Sequence, residues 1–247
     1  MKNRPYLLTI AGFDPSSGAG LTSDIKTFEA LKCYGLSVCT ANTIQNDIEF
    51  TACHWTAIDV MLNQINLLFN RFEIDYVKIG IVKNWETLSV LIDRLIALNP
   101  EIKIVLDPIL KSSSEFCFHS NNSEKLDVLL SKIYLITPNY NEIQSLYPEK
   151  NVSDTIDHMA SKTNVFLKGG HRADHVGQDV LYSSNKKQVV LNPRSSKCSE
   201  KHGSGCVLSS AITSYLTLGF SLEKACKKAK RYTENFLSSN ESLLGFH

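Results

Sequence analysis

Residues suited to binding an anion occur just before a predicted helix near the end of the chain. Gly203, Ser204 and Gly205 precede Cys206, and apolar residues then recur with a helical period at 207, 208, 211, 212, 215 and 216. The first N–H groups of a helix lack partners within it, and the helix dipole adds partial positive charge there. Because glycine has no Cβ, a phosphoryl group can approach these N–H groups closely. The stretch therefore predicts an anion hole, or else a tight turn that needs glycine only for its backbone angles.

A second set of residues could bind magnesium and phosphate. Asp107, Asn139 and Lys168 each end an apolar run, and Glu142 follows three residues after Asn139. Asp107 and Glu142 offer hard oxygen ligands for a magnesium ion carried by a nucleotide, and Lys168 can meet a phosphate as a point charge. Each residue also has a structural interpretation, since Asp before Pro is a common turn and Asn139 with Glu142 fits a helix capping box. Together they predict a phosphoryl-transfer site, where catalysis is mostly positioning and charge neutralisation.

The elements that must position these residues alternate along the chain. Buried strands are predicted at 6–11, 37–43, 76–80, 102–108, 133–139 and 164–170, with helices between them and a hairpin at 179–182 and 188–191. This alternation is typical of an α/β fold with three layers, in which a mostly parallel central sheet carries helices on both faces. Such sheets bind ligands beyond the carboxyl ends of their strands. No change of composition marks a linker, so we expect residues 1–247 to form one domain.

The composition argues against nucleic-acid and membrane partners. The formal net charge is +1, and no basic stripe is interleaved with aromatic residues. The basic run from Lys224 to Arg231 has the spacing of a solvated helix face. No stretch approaches the length of a transmembrane helix, and the first residues lack the apolar region of a signal peptide. The seven cysteines include no C-x-x-C pair, which indicates a reducing cytoplasm rather than a disulfide framework.

Another glycine-containing loop follows the first predicted strand. Gly12, Gly18 and Gly20 lie among serines, just before a predicted helix. Their spacing matches neither G-x-G-x-x-G nor a Walker P-loop. We therefore predict that this loop holds a neutral small molecule against open backbone.

This loop begins the strongest family resemblance in the chain. Residues 11–28, AGFDPSSGAGLTSDIKTF, closely resemble the opening of the hydroxymethylpyrimidine and phosphomethylpyrimidine kinases of thiamine biosynthesis, a branch of the ribokinase-like superfamily. Further motifs follow in the family's order across almost the whole chain: Tyr34-Gly35, Thr43–Asn46, Val77–Gly80, Asp107-Pro108, Thr137–Asn139, Lys168–His171 and His202–Cys206. The resemblance implies a ribokinase-like fold, and it implies that ATP phosphorylates the hydroxymethyl group of an aminopyrimidine and then the resulting monophosphate.

The resemblance also implies roles for particular residues. It assigns Gly12, Asp24 and Gln45 to the pyrimidine, for which Gln45 offers a donor and an acceptor and Asp24 an acceptor. It further implies that Lys168, Asn139 and Glu142 bind the nucleotide, that Asp107 and Glu142 bind Mg²⁺, and that Gly203, Ser204 and Gly205 form the anion hole. Relatives form homodimers, so a homodimer is expected.

Two positions stand out against the family pattern. Cys206 occupies the place of an aspartate base in the wider superfamily. A helix N-terminus should lower the pKa of its thiol, so that the thiolate could accept the hydroxyl proton. The alternative is a small packing residue, with catalysis left to the anion hole and the metal. Phe13 replaces a small serine, which implies that it narrows or lines the pyrimidine pocket.

Two other functions remain open from the sequence. Some members of this branch phosphorylate pyridoxal or pyridoxine, and those forms carry a second cysteine just after the Asp-Pro strand. Here Ile109, Leu110 and Lys111 fill that place and Cys117 lies further on, which favours the pyrimidine. A non-catalytic ligand-binding protein on the same fold is disfavoured by the complete set of polar site residues.

Overall fold

The backbone is organised around a sheet of nine strands. A computed structural model of the chain describes residues 4–110, 123–170, 175–185, 187–194 and 198–247, so Lys111, Cys117 and His171 lie outside the described residues. The strands are β1 (Tyr6–Phe13), β2 (Tyr34–Gln45), β3 (Phe50–Trp55), β4 (Tyr76–Ile79), β5 (Lys103–Leu106), β6 (Leu135–Ile136), β7 (Asn164–Leu167), β8 (Asp179–Tyr182) and β9 (Gln188–Leu191). Their spatial order is β3-β2-β1-β4-β5-β6-β7-β8-β9.

The six central strands run parallel, from β2 to β7, and the strands at both edges are antiparallel to their neighbours. Eight helices belong to the described part: α1 (Gly20–Ala30), α2 (Ile58–Phe69), α3 (Trp85–Leu98), α4 (Ser123–Leu130), α5 (Tyr140–Leu146), α6 (Val152–Ala160), α7 (Ser204–Thr217) and α8 (Leu222–Leu237). The predicted three-layer, mostly parallel α/β fold is confirmed. The hairpin strands β8 and β9 have the predicted bounds.

Alternate side chains of the central strands pack into two cores. On β5, Ile104 and Leu106 face the core covered by α2 to α6, whereas Val105 faces the core covered by α7 and α8. This alternation follows from the two-residue period of a strand. Both faces of a parallel sheet are therefore buried, as the continuous apolar runs predict.

Strand β3 was missed by the sequence analysis. Its side chains are all exposed or half-buried, and it pairs only with β2 at the edge of the sheet. The segment lacks the apolar run of a central strand because it has no second sheet neighbour and no fully buried face.

Helix α7 crosses the middle of the sheet, in contact with β1, β4 and β5 as well as α1 and α8. The sequence predicted a single apolar face, but Ser209, Ser210, Thr213 and Ser214 on its other side are also fully buried. Three of these four hydroxyls, those of Ser209, Thr213 and Ser214, donate to backbone carbonyls one turn earlier in the helix. The helix is therefore central, and its first turn opens at the carboxyl edge of the sheet. The helix ends before Gly219, which adopts a left-handed conformation.

None of the helices in the described ranges is both long enough and apolar enough to cross a membrane.

Candidate active site

A cavity of about 1430 Å³ lies over the carboxyl ends of the central strands. Ten of the predicted site residues line it: Gly12, Gln45, Asp107, Asn139, Glu142, Lys168, Gly203, Ser204, Gly205 and Cys206. Asp24 does not. The expectation that these residues share one edge of the sheet is confirmed, because the ends of parallel strands converge there.

Two glycine-containing segments meet at the centre of this cavity. Gly203 has a φ of 74°, and a Cβ on it would lie 2.0 Å from the carbonyl oxygen of Gly18. Gly20 has a φ of 59°, and a Cβ there would lie 2.2 Å from the carbonyl oxygen of Gly12. Both positions therefore require glycine for backbone angle and for close approach. The loop of residues 12–20 therefore packs directly against the residues that begin α7.

A buried hydrogen bond between a histidine and an aspartate joins the same two segments. Nε2 of His202 lies 2.9 Å from Oδ2 of Asp14, which is itself fully buried. The Asp14 carboxylate also accepts hydrogen bonds from the backbone N–H groups of Ser16 and Ala19. Burial alone would raise the pKa of Asp14, but the hydrogen bonds from His202, Ser16 and Ala19 hold it below its usual value. Sequence analysis missed this pair, because 188 residues separate its members along the chain.

The start of α7 presents N–H groups that are free to bind an anion. Within the described ranges no protein group accepts from the N–H of Gly205 or of Cys206, and Ser204 makes only a 3.4 Å bond to the carbonyl of Lys201. A Cβ on Gly205 would lie 3.4 Å from Nζ of Lys168 and 3.8 Å from Oδ2 of Asp107. The predicted tight turn is therefore present at Gly203, and Gly205 presents an unpaired N–H group where the anion hole is predicted.

Lys168 joins two carboxylates beside this helix start. Its Nζ donates to Oδ1 of Asp107 at 2.9 Å and lies 3.7 Å from Oε2 of Glu142. Burial alone would raise the pKa of Asp107, but the ammonium groups of Lys168 and Lys78 hold it below its usual value. Burial raises the pKa of Glu142 to about 7, with Asp107 adding to the rise and Lys168 opposing it. Asp107 is therefore the anionic member of the cluster at neutral pH, whereas Glu142 titrates near pH 7.

Asn139 and Glu142 also form the capping box that their spacing predicts. Oδ1 of Asn139 accepts from the N–H of Glu142 at 2.8 Å, and Oε2 of Glu142 accepts from the N–H of Asn139 at 2.6 Å. The structural interpretation is thus confirmed for both residues. The capping box uses only Oε2 of Glu142, so Oε1 remains available to bind a ligand.

The donor set fits a magnesium ion that a nucleotide brings with it. Asp107 and Glu142 both line the cavity, and Mg²⁺ in nucleotide sites typically takes one or two carboxylates while phosphates and waters complete its octahedron. Among the described residues no group of three or more His, Cys, Asp or Glu side chains could hold a metal by itself. The arrangement therefore suits a shared ion rather than one held entirely by the protein.

Asp24 lies in the interior instead of at the cavity wall. Its carboxylate accepts from Nζ of Lys78 at 2.8 and 3.0 Å, from Oγ1 of Thr9 at 2.6 Å and from Oγ of Ser210 at 2.6 Å. Lys78 is fully buried yet contributes to the cavity lining, and the carboxylate of Asp24 raises its pKa against the effect of burial. Sequence analysis did not assign Lys78, although a lysine within the apolar run of β4 is a recognisable signal.

Gly12 and Gln45 belong to the other end of the cavity. They end β1 and β2, whereas Lys168 follows β7, so Gln45 and Lys168 are five strand spacings apart, about 24 Å. The start of α7 lies between these ends, over β4 and β5. Phe13 does not line this cavity, contrary to the expectation from the resemblance. It follows a register shift in β1 after Ala11, and its side chain lines a separate shallow pocket with Leu21, Cys39 and Gln64.

Cys206 is buried in the first turn of α7 and is 6% exposed. Burial raises the pKa of its thiol to about 11, although Lys78 and the backbone of Gly20 favour the thiolate. The prediction of a lowered pKa was therefore wrong, because loss of solvation outweighs the helix terminus. At neutral pH the thiol carries its proton.

Polar atoms without a protein partner line the region beyond Lys168. Oγ1 of Thr233 and Oε2 of Glu234, both on α8, are buried and have no hydrogen-bond partner among the residues that the structure describes. Lys230, one turn earlier, donates to Oδ2 of Asp179 at 2.8 Å and to the carbonyl of Gly177 at 2.6 Å. The prediction of a solvated basic face was thus wrong for Lys230, since its long side chain reaches across to a buried carboxylate.

Comparison with known proteins gives a consistent relationship. The family model described as phosphomethylpyrimidine kinase matches residues 14–245. A hydroxymethylpyrimidine/phosphomethylpyrimidine kinase of Aquifex aeolicus is 33% identical, over 96% of this chain and 95% of the relative. Three other curated relatives are longer proteins with more than one function, and the chain spans 55%, 48% and 34% of their lengths.

Solved structures confirm the ribokinase-like fold. The phosphomethylpyrimidine kinase of Clostridium difficile matches with a TM-score of 0.78 and 34% identity, over 93% of this chain and 98% of that one. A pyridoxal kinase from Staphylococcus aureus, solved with ADP, matches with a TM-score of 0.85 and 25% identity, over 96% of this chain and 89% of that one. The fold is thus shared with kinases that differ in their named substrate.

Proposed function

We propose, since the chain belongs to the phosphomethylpyrimidine kinase family, that it uses ATP to phosphorylate 4-amino-5-hydroxymethyl-2-methylpyrimidine and then its monophosphate. One observation carries the proposal. The unpaired N–H groups at Gly205 and Cys206, together with the ammonium of Lys168, line the same cavity as Gln45 and Gly12. A donor phosphate and an acceptor alcohol can therefore meet at the start of α7.

The proposed chemistry depends on positioning and on charge neutralisation. In phosphoryl transfer, negative charge is spread over the oxygens of the migrating group. Lys168 and the N–H groups of α7 are held in place before the reaction, which makes their stabilisation of that charge effective. When bound with the nucleotide, Mg²⁺ would neutralise phosphate charge, and Asp107 and Glu142 are the residues that would hold it.

We assign proton removal from the substrate hydroxyl to the thiolate of Cys206. Its location supports this role, since Lys78 and the backbone of Gly20 favour the ionised sulfur. With a pKa of about 11 the thiolate is a minor form at neutral pH. In a loose transition state the hydroxyl proton departs late, so a small thiolate population can suffice. The alternative, a packing role, is tested below.

We place the substrates at opposite ends of the cavity. Gln45 and Gly12 would hold the aminopyrimidine ring. The ion pair of Lys78 and Asp24 would support the cavity wall behind the ring without Asp24 touching it. The nucleotide would extend past Lys168 toward Thr233 and Glu234, whose buried oxygens lack protein partners. These oxygens suit the amino group and ring nitrogens of a base.

A second candidate function is phosphorylation of pyridoxal. The similarity to a pyridoxal kinase of Staphylococcus aureus favours it. The two alcohols differ in ring nitrogens and in the exocyclic amine, which Gln45 can contact through a donor and an acceptor. Greater identity to the phosphomethylpyrimidine kinase of known structure supports the pyrimidine.

The experiment offers both alcohols to one preparation of the protein. The full chain is incubated with ATP and Mg²⁺ and with either hydroxymethylpyrimidine or pyridoxal at equal concentration, and products are identified by mass. Mono- and diphosphate of the pyrimidine are expected, with little pyridoxal phosphate. A clear preference for pyridoxal would favour the second function, and transfer to neither alcohol would contradict both. A reaction without the protein serves as the blank, and Lys168→Met should form much less product than the wild type.

We further propose that the protein works as a homodimer in the cytoplasm. The six cysteines within the described ranges are all free thiols, which suits a reducing compartment. Light scattering coupled to size-exclusion chromatography tests the dimer directly, since the expected mass is twice 27.6 kDa.

A further inference from the structure

Lys201 lines the cavity just before the start of α7, and no acidic side chain within the described ranges pairs with it. It is 3% exposed, and it lies two residues before Gly203. Its Nζ donates to Oγ of Ser199 at 2.8 Å, to the carbonyl of Asn240 at 2.6 Å and to the carbonyl of Ser242 at 2.5 Å. Three neutral oxygens therefore take up all three donors of the ammonium group.

The other lysines that line the cavity are bound differently. Lys78, Lys168 and Lys230 each lie within 3.0 Å of an aspartate carboxylate oxygen, on Asp24, Asp107 and Asp179 respectively. No carboxylate pairs with Lys201 among the residues that the structure describes. A buried ammonium without a counter-charge is costly, and three good acceptors offset only part of that cost. Three neutral oxygens, and no carboxylate of the described residues, therefore hold the ammonium of Lys201.

Two of the three oxygens that hold Lys201, the carbonyls of Asn240 and Ser242, come from the C-terminal tail, residues 239–247. This tail touches both glycine-containing segments of the site. The carbonyl of Leu243 accepts from the N–H of His202 at 2.9 Å, and a Cβ on Gly18 would lie 2.8 Å from the side chain of Leu244. Because His202 also binds Asp14, the tail, the first loop and the start of α7 form one connected unit.

We propose that Lys201 is a positioning residue for phosphoryl transfer, whose ammonium fixes the C-terminal tail and, through the bond from His202 to Leu243, the start of α7. The expected effect of Lys201 on turnover rests on the proposed function, whereas its expected effect on the C-terminal tail does not. Neither effect depends on which alcohol is the substrate, since Lys201 lies at the helix start rather than at the Gln45 wall. Removing the ammonium would release the tail and let the start of α7 move.

The experiment removes the ammonium and then restores a cation from solution. Lys201→Ala leaves an oxygen-lined space that a small cation can enter. We expect kcat to fall by about tenfold to a hundredfold, as for other displacements of catalytic groups. Ammonium chloride should recover most of that loss, whereas tetramethylammonium chloride at the same ionic strength should not, because it is too large and has no N–H donors. The Lys224→Ala variant, on the exposed side of α8, is the matched control and should match the wild type.

A second readout separates this inference from the proposed function. Hydrogen exchange of residues 239–247 is measured in wild type and in Lys201→Ala, with and without ammonium. Faster exchange in the variant, reversed by ammonium, is expected whether or not either alcohol is phosphorylated. Unchanged exchange, or lost turnover that ammonium does not restore in a variant that stays folded, would overturn the inference. If the wild type transfers phosphate to neither alcohol, the proposed function fails while the exchange result still tests the role of Lys201.

Discussion

Two lysine–carboxylate clusters contact α7, and they differ in how much remains available for a ligand. Lys78 and Asp24 are both fully buried, and the two oxygens of Asp24 accept four hydrogen bonds from protein groups. Lys168 keeps 13% of its side chain exposed and lies beside the unpaired N–H groups at Gly205. Similar residue types thus form a closed ion pair in one case and an open site in the other.

The difference shows that residue type alone does not identify a binding group. Asp24 joins α1 to β4 through Lys78, to β1 through Thr9 and to α7 through Ser210, so its contacts hold the scaffold together. Asp107 follows β5 and Lys168 follows β7, at the carboxyl edge of the sheet where a phosphate can reach the ammonium. We therefore expect loss of the first cluster to damage folding and loss of the second to damage turnover.

The largest expected effect comes from breaking the closed pair. Lys78→Met leaves the Asp24 carboxylate buried without a counter-charge, which typically lowers the free energy of unfolding by about 3–5 kcal/mol. Urea unfolding followed by circular dichroism measures it. The exposed pair of Lys132 and Asp93 gives the control, since Lys132→Met should change stability little. Equal losses in the two variants would mean that burial of the Lys78 pair has no special importance.

Lys168→Met tests the open cluster. Removing a fixed donor to the migrating phosphoryl group should reduce kcat by about 10²–10³. The free energy of unfolding should fall less than in Lys78→Met, because Lys168 is partly solvated and Asp107 keeps the Lys78 ammonium as a nearby positive charge. Steady-state kinetics and urea unfolding of the same preparations give both numbers. If Lys168→Met unfolds as easily as Lys78→Met while retaining turnover, the assignment of the two clusters is reversed.

Cys206→Ala distinguishes a proton acceptor from a packing residue. We expect turnover to fall by more than tenfold, within the usual range for a general base, with little change in ATP binding. Because the thiol has a pKa of about 11, wild-type kcat should rise with pH across the neutral and mildly alkaline range, and the variant should lack that rise. Near wild-type turnover in Cys206→Ala would show that the side chain serves packing alone.

Much of the fold follows from local patterns. The runs of apolar residues and the glycines between them predict the central strands and the bounds of β8 and β9, because local period and turn chemistry largely determine those elements. Strand β3 cannot be predicted in this way, because an edge strand needs few buried apolar side chains. A glycine just before a helix likewise predicts the tight turn at Gly203, where the backbone is left-handed.

The site is only partly predictable, for a physical reason. Asp107, Glu142 and Lys168 can be found because they follow strands, and parallel strands bring their ends together. The environment of each group cannot be found this way. Whether Asp24 faces the cavity depends on Lys78, 54 residues away, and the pKa of Cys206 depends on how α7 is buried. The resemblance supplies residue types in order, whereas burial and pairing depend on tertiary packing.

The smallest expected effect concerns Glu142, whose carboxyl belongs to the open cluster. Burial raises its pKa from 4.5 to about 7, so between these values the folded protein holds a proton that the unfolded chain releases. This group therefore stabilises the fold most at low pH, and that contribution is lost as pH rises through 7.

Glu142→Gln keeps the capping hydrogen bond but cannot ionise. As the pH rises from 4.5 to 7, the free energy of unfolding of the variant should increase relative to that of the wild type, by on the order of 1 kcal/mol. Urea titrations at several pH values measure the gain, and the exposed Glu101→Gln should show none. A constant difference between wild type and Glu142→Gln across this range would mean that Glu142 is already ionised, held as a closed pair by Lys168 in the manner of Asp24 and Lys78.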